Sequence, residues 1–102
     1  MGIHFFDQYM YLHFATGIIS YFFGISLSRW IIFHTIFEIV ENTVMGLHII
    51  NNYFTFWPGG KLYPDKIINR IGDTFGTILG WTSAYYLDKI GNENKWHVRD
   101  VL

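Results

Sequence analysis

The chain has 102 residues, enough for one domain, and it has no cysteine, which excludes disulfides and thiolate metal sites. Hydrophobic residues make up 51% of the chain and charged residues only 15%, which excludes a disordered tail and a coiled coil. Seven Lys and Arg residues stand against eight Asp and Glu residues, giving a net charge of -1. This balance argues against a nucleic-acid partner, which a basic surface would indicate.

Three long stretches of the chain carry few charges and lie at about 8–28, 29–50 and 65–88. Each is close to the ~20 residues that a helix needs to cross the hydrocarbon core of a bilayer. A globular bundle of amphipathic helices is the alternative, but the first two stretches have no polar face wide enough for it. We therefore predict an all-α, polytopic membrane protein in which three transmembrane helices form a small antiparallel bundle.

The rest of the chain is organised around these spans. We expect a single membrane domain over residues 1–102, with an aromatic, interfacial loop at 51–65 and a polar cytoplasmic tail at 89–102. The lipid bilayer is then the expected partner. The positive-inside rule predicts an outside N-terminus and a cytoplasmic C-terminus, because the N-terminus lacks Lys and Arg while the third span is followed by Lys89, Lys95 and Arg99.

Acidic residues inside the predicted spans are the strongest functional signal. Charged side chains at membrane depth are rare and mark functional sites, and this chain has Glu38, Glu41 and Asp73 there. Helical spacing puts six residues of the second span on one largely polar face: His34, Glu38, Glu41, Asn42, Met45 and His48. The same spacing aligns residues of the third span: Asp65, Asn69, Asp73, Gly76 and Gly80.

Three antiparallel helices would bring these faces together in one half of the bundle. The residues expected around the resulting cavity are His13, Glu41, Asn42, Asn69 and Asp73, with Asp65 at its mouth. His34 falls in the opposite half of the second span and is left out of this group.

Carboxylates and imidazoles without thiolates suit Mg²⁺, Mn²⁺ or Zn²⁺, so a divalent metal held by His13, Glu41 and Asp73 is one interpretation. Neighbouring buried carboxyl groups can also share a proton and act as a general acid and base. The catalytic candidates are then Glu38, Glu41, Asp73 and His13, with Asn42, Asn69 and Asp65 as binding residues. The alternative is that protonated acids only hydrogen-bond the helices together.

A row of glycines accompanies the acids of the third span. Gly72, Gly76 and Gly80 are spaced four residues apart, a pattern that lets another helix approach closely. We interpret this row as a helix-packing surface, either within the chain or between subunits. It makes a homo-oligomer or a larger membrane assembly a possible state of the protein.

Three blocks of the chain resemble a known family. They are Asp7-x-Tyr9-x-x-x-His13-x-x-x-Gly17, Phe37-Glu38-x-x-Glu41-Asn42, and Tyr63-x-Asp65-x-x-x-Asn69-x-x-x-Asp73 with Gly80. In this order they resemble an uncharacterised family of small bacterial integral-membrane proteins, known only as a domain of unknown function. The stretch from Asp65 to Gly76 is similar, more remotely, to the VanZ-like membrane family. These resemblances imply membrane placement and the same set of polar residues, and they imply no reaction or cofactor.

The function expected from these features is that of an integral membrane protein whose buried carboxylate, histidine and asparagine site binds a cation or a polar lipid headgroup. A structural or assembly subunit of a larger membrane complex, including a virion membrane protein, is the second interpretation. An intramembrane enzyme acting on a lipid-type substrate is the third. The sequence alone does not decide whether any reaction is catalysed.

Overall fold

The computed structural model describes residues 2–96, and this part of the chain is all-helical. Helix α1 runs Met10–Phe22, α2 Leu27–Glu41, α3 Val44–Tyr53 and α4 Ile67–Glu93. The 27-residue α4 is the longest, and α1 lies along it. Helix α2 contacts both α1 and α4, and α3 packs on α2.

The connection between α1 and α2 is a tight turn with clear local causes. Gly24 takes a left-handed conformation with φ +79°, and its N–H donates to the Tyr21 carbonyl at 2.9 Å. This is the geometry that favours glycine after a helix end. Ser26 then caps α2, because its hydroxyl accepts a hydrogen bond from the N–H of Arg29 at 3.4 Å.

A second break separates α2 from α3. Thr43 has extended backbone angles, and its hydroxyl accepts the N–H of Gly46 at 3.0 Å, which starts α3. A Cβ on Gly46 would overlap the carbonyl oxygen of Val40, so the two helices meet closely at this corner. The chain therefore changes direction between Glu41 and Val44.

Helices α1 and α4 are in backbone contact through glycines. A Cβ on Gly17 of α1 would overlap the carbonyl oxygen of Thr77, and a Cβ on Gly80 of α4 would overlap that of Phe14. Glycine allows this approach because it has no side chain in the way. The close contact sets how near the polar side chains of α1 come to those of α4.

The interior of the described chain is mainly polar. The buried large or medium apolar residues are Ile50 and Ala84, whereas the buried polar residues are Ser20, His34, Glu38, Glu41, Lys61, Asn69, Asp73 and Thr77. Large apolar side chains lie on the outside instead, with Phe23 80% and Val44 87% exposed. Polar contacts, and not an apolar core, therefore join the helices at the centre of the molecule.

Within residues 2–96, no helix combines the length and the apolar character that crossing a bilayer requires. The predictions of three transmembrane helices and of a multi-pass membrane localisation are therefore wrong. Helices α1, α2 and α3 have 13, 15 and 10 residues, against the ~20 that a span needs. Helix α4 is long enough, but Asp73, Asp88 and many glycine and hydroxyl residues dilute its apolar ones.

The predicted boundaries change for local reasons. The first stretch ends as a helix at Phe22, and the stretch at 29–50 is divided by the α2–α3 corner. Helix α4 continues to Glu93 and so includes the start of the predicted polar tail, while residues 97–102 of that tail lie outside the described part. The predicted N-outside orientation depended on the spans and falls with them.

Candidate functional site

Two histidines and two acids from three helices meet at the centre of the molecule. His13 comes from α1, Asp73 from α4, and His34 and Glu38 lie one turn apart on α2. The four-residue spacing puts His34 and Glu38 on the same face of α2. His34, Glu38 and Asp73 are buried, and the His13 side chain is 17% exposed. We call these four residues the His–acid cluster.

Three atoms of the His–acid cluster form a small triangle. His13 Nδ1 lies 2.9 Å from His34 Nε2, and each of these nitrogens lies 3.6 Å from Glu38 Oε1. A point equidistant from the three atoms is about 2.0 Å from each, which matches the ~2.0–2.2 Å bonds of zinc to imidazole nitrogen and carboxylate oxygen. The structure thus contains a His and Glu group that could hold a metal ion.

Asp73 lies beside the outer nitrogen of His13. The Nε2 atom of His13 is 3.2 Å from Asp73 Oδ2, an ion-pair contact when the ring is protonated. The Nδ1 atom on the other side of the ring faces His34 Nε2. Pairing of a carboxylate with the outer nitrogen of a histidine is typical of metal-ligating histidines.

Thr74 lies beside the other nitrogen of His34. Its hydroxyl is 3.4 Å from His34 Nδ1 and donates to the carbonyl of Arg70 at 3.0 Å. The two facing ring nitrogens of His13 and His34, 2.9 Å apart, can share a proton in a hydrogen bond or be bridged by a cation. Glu38 Oε1 beside them is buried and has no hydrogen-bond partner among the described residues.

Burial keeps both histidines neutral near pH 7. It lowers the pKa of His34 to about 4 and also lowers the pKa of His13. Burial, together with the nearby Glu41 and Asp73 carboxyls, raises the pKa of Glu38 to about 9. Burial likewise raises the pKa of Asp73 to about 7. A divalent cation in the cluster would favour the ionised acids, because its charge replaces the lost solvation.

A second polar group adjoins the first and consists of Glu41, Lys61 and Asp65; we call it the acid–lysine group. The ammonium of Lys61 donates to Asp65 Oδ2 at 2.5 Å and lies 3.9 Å from Glu41 Oε1. Carboxyl oxygens of Glu38, Glu41 and Asp65 lie within 4.8 Å of one another. Burial raises the pKa of Glu41, and the charge of Lys61 opposes that rise. Lys61 itself is 4% exposed, so its charge is balanced inside the protein.

Asn42 connects the two groups. Its side-chain amide donates to the carbonyl of Glu38 at 2.7 Å, and its side-chain oxygen accepts the N–H of Asp65 at 2.7 Å. One asparagine thereby satisfies a free carbonyl at the end of α2 and fixes the segment that leads into α4.

Asn69, at the start of α4, holds the N-terminal segment. Its side-chain amide donates to the carbonyl of His4 at 2.7 Å and to Asp7 Oδ2 at 3.1 Å. The backbone N–H of Lys66 also donates to the carbonyl of Gly2 at 2.7 Å. The first residues of the described chain are therefore anchored onto the start of α4.

The structure divides the residues singled out from the sequence among these groups. His13, Glu38 and Asp73 lie in the His–acid cluster, whereas Glu41 and Asp65 lie in the acid–lysine group. Glu41 is thus not grouped with His13, the histidine that was expected to share a metal with it. The glycine row on α4 faces the N-terminal segment and α1, with Gly72 against Phe5, Gly76 against Met10 and Gly80 against Phe14.

Three site residues escaped the sequence interpretation: His34, Thr74 and Lys61. His34 was set aside for its depth along a straight span, although its spacing from Glu38 was a usable signal. Thr74 follows Asp73 directly but a hydroxyl in a helix is common, so no signal marked it. Lys61 lies in the connection between α3 and α4, where helical spacing says nothing about contacts.

Comparison with known proteins adds no relative: no family model, no curated protein and no solved structure matches this chain. The family resemblances drawn from its motifs therefore stay predictions. The geometry of the described residues carries the functional argument.

Proposed function

We propose that this protein binds a divalent first-row transition metal, with Zn²⁺ as the best fit, in the His–acid cluster. The ligands would be His13 Nδ1, His34 Nε2 and Glu38 Oε1. The observation that carries the proposal is the close approach of His13 Nδ1 and His34 Nε2, 2.9 Å apart, with the buried and unpartnered Glu38 Oε1 at 3.6 Å from both. A cation bound between these three atoms would supply the positive partner that Glu38 Oε1 lacks.

The ligand types favour zinc over the harder cations. Imidazole nitrogen suits Zn²⁺, Cu²⁺, Fe²⁺ and Ni²⁺, whereas Mg²⁺ and Ca²⁺ prefer oxygen ligands. Two histidines and one carboxylate leave a fourth position open on a zinc ion, as catalytic sites do. His13 and His34 also line a cavity of about 430 Å³, from which a water molecule or ligand could reach that position.

Metal titration of the purified full-length protein tests the proposal. After removal of metals with EDTA, Zn²⁺ is expected to bind at one equivalent per chain by isothermal titration calorimetry. Either His34→Ala or Glu38→Gln should weaken Zn²⁺ binding at least a hundredfold. His48→Ala is the matched control, because His48 is an exposed histidine on α3 outside the cluster. Equal Zn²⁺ affinity in the wild type and His34→Ala would refute the proposal.

The residues behind the ligands give a second, independent check. Asp73→Asn and Thr74→Val remove the groups that orient His13 and His34 without removing a ligand. Each is expected to reduce Zn²⁺ affinity by ~10–100-fold, the usual effect of losing such a partner. If Asp73→Asn binds Zn²⁺ as tightly as the wild type, Asp73 does not orient the His13 ring.

A further inference from the structure

A cavity beside the His–acid cluster is lined by both aromatic and acidic side chains. Its volume is about 430 Å³, within the ~300–1,000 Å³ range of small-molecule sites. Its aromatic lining, which we call the aromatic wall, consists of Tyr9, Trp30, Phe33, Phe37 and Trp57. The ring of Trp57 stacks on Phe37 with centroids 6.2 Å apart, and Trp30 is fixed by a 2.7 Å hydrogen bond from its Nε1 to Thr77. These contacts hold the aromatic wall in place.

Carboxyl groups also line the cavity, and one of them has a buried oxygen without a hydrogen-bond partner among the described residues. Glu41 is 6% exposed, and its nearest cation is Lys61 at 3.9 Å, beyond hydrogen-bond distance. The ammonium of Lys61 is already engaged by Asp65 at 2.5 Å. Asp73 also lines the cavity, with a 5% exposed side chain whose Oδ1 has no hydrogen-bond partner among the described residues. Buried acceptors without donors are costly, so a ligand that brings donors would be stabilised here.

The charges of the cavity decide the sign of the ligand. Four acids line it, Asp7, Glu41, Asp65 and Asp73, against one lysine, Lys61. Lys61 pairs with Asp65, and although burial raises the pKa of Glu41 and of Asp73, a bound cation would favour their ionised forms. An anion would meet a surplus of like charge, whereas a cation would be attracted. The faces of the aromatic rings add to this preference, because the π-electrons of Trp, Tyr and Phe attract cations.

We propose that this cavity binds an organic ammonium ion whose apolar body lies against the aromatic wall and whose N–H groups donate to Glu41. The proposal goes beyond metal binding and does not depend on it, since Glu41 belongs to the acid–lysine group and is not a proposed metal ligand. The ligand class is a primary amine on a compact, flat apolar group.

Three probes of matched shape and different charge test the proposal: benzylamine, benzyl alcohol and benzoate. Binding to the metal-free full-length protein is measured in EDTA by calorimetry and by the fluorescence of Trp30 and Trp57. Benzylamine is expected to bind at least tenfold more tightly than benzyl alcohol, and benzoate is expected not to bind. Equal affinity for benzylamine and benzyl alcohol would overturn the proposal.

Two variants locate the interaction. Glu41→Gln should weaken benzylamine binding at least tenfold and leave benzyl alcohol unchanged, while Glu93→Gln, an acid at the far end of α4, should have no effect. Phe33→Ala changes an exposed residue of the aromatic wall, so it spares the fold, and it should weaken benzylamine severalfold. Unchanged benzylamine binding in both Glu41→Gln and Phe33→Ala would contradict the proposed location.

The same titrations separate this proposal from the metal proposal. Glu38→Gln is expected to lose Zn²⁺ binding and keep benzylamine binding, because Glu38 is a proposed metal ligand that does not line the cavity. A protein that binds Zn²⁺ but not benzylamine would refute the amine site alone. A protein that binds benzylamine but not Zn²⁺ would refute the metal site alone.

Discussion

Replacing Gly80 by alanine should destabilise the protein and weaken its metal site together. The new methyl group would lie more than about 1 Å inside the 3.4 Å separation at which ordinary contact with the Phe14 carbonyl oxygen begins. That oxygen belongs to the backbone of α1, so the whole helix has to move away from α4. Overpacking of this kind costs ~1–3 kcal/mol, and the ~1 kcal/mol that alanine gains over glycine in a helix offsets part of it.

The separation of the helices also lengthens the contact between His13 and Asp73. These side chains come from α1 and α4 and lie 3.2 Å apart, so a shift of ~1 Å takes them out of contact. Gly80→Ala should therefore lower the free energy of unfolding by ~1–2 kcal/mol in urea and reduce Zn²⁺ affinity about tenfold.

Gly91→Ala is the matched control for Gly80→Ala. Gly91 lies on the same helix, but a Cβ there meets the side chain of Trp96 at 3.1 Å, and a side chain can move aside. This variant should be neutral or slightly stabilised. Equal urea midpoints for Gly80→Ala and the wild type would show that α1 and α4 are not in the backbone contact described.

Two further predictions concern the polar interior. The metal-free protein should lose thermal stability as pH rises from 6.5 to 9, which calorimetry in EDTA measures. Burial raises the pKa of Glu38 from 4.5 to about 9, so in this range the folded protein keeps the Glu38 proton while the unfolded chain has released it. Burial lowers the pKa of His34, so its titration affects stability only below pH 6.5, and Glu38→Gln should flatten the fall in stability above that pH. Asn42→Ala should cost ~2–3 kcal/mol in urea unfolding because it removes two 2.7 Å hydrogen bonds and leaves the Asp65 N–H unpaired, whereas Asn94→Ala, which removes one exposed bond to Ile90, should cost under ~1 kcal/mol.

Part of the candidate site could be predicted from spacing. Polar residues at helical intervals must share a face, and helices that bury such faces must bury them together. This reasoning singled out His13, Glu38 and Asp73, which the structure brings into one cluster. Their chemistry, imidazole and carboxylate without thiolate, was also readable from the residue types.

The fold could not be derived from the number of charges alone. A stretch of ~20 residues with few charges satisfies the length criterion, but glycine, threonine and tyrosine lower the apolar character of α4 without adding charge. Short breaks also made the predicted helices too long, because the Asn42-Thr43 corner divides one expected helix into two. Asn42 and Thr43 are cap residues, and reading Asn42 as part of a polar stripe hid the break.

His34 was misplaced for a related reason. Its depth in a bilayer was inferred from its position along one straight, continuous helix. In the structure the helices are short and contact one another closely, so position along a helix does not determine which side chains meet. Lys61 shows the limit more sharply, because its partner Asp65 is four residues away in a segment that is not helical. Contacts made by such connections depend on tertiary packing that spacing does not encode.

The polar interior has a calorimetric consequence. Exposure of apolar surface on unfolding raises the heat capacity, and exposure of polar surface lowers it. A molecule that buries Ser20, Asn69 and Thr77 and leaves Phe23 and Val44 outside should therefore unfold with a heat-capacity increment well below the usual ~12–15 cal/mol/K per residue. Its stability curve is then broad and shallow, so the folded state tolerates cooling and responds gently to temperature.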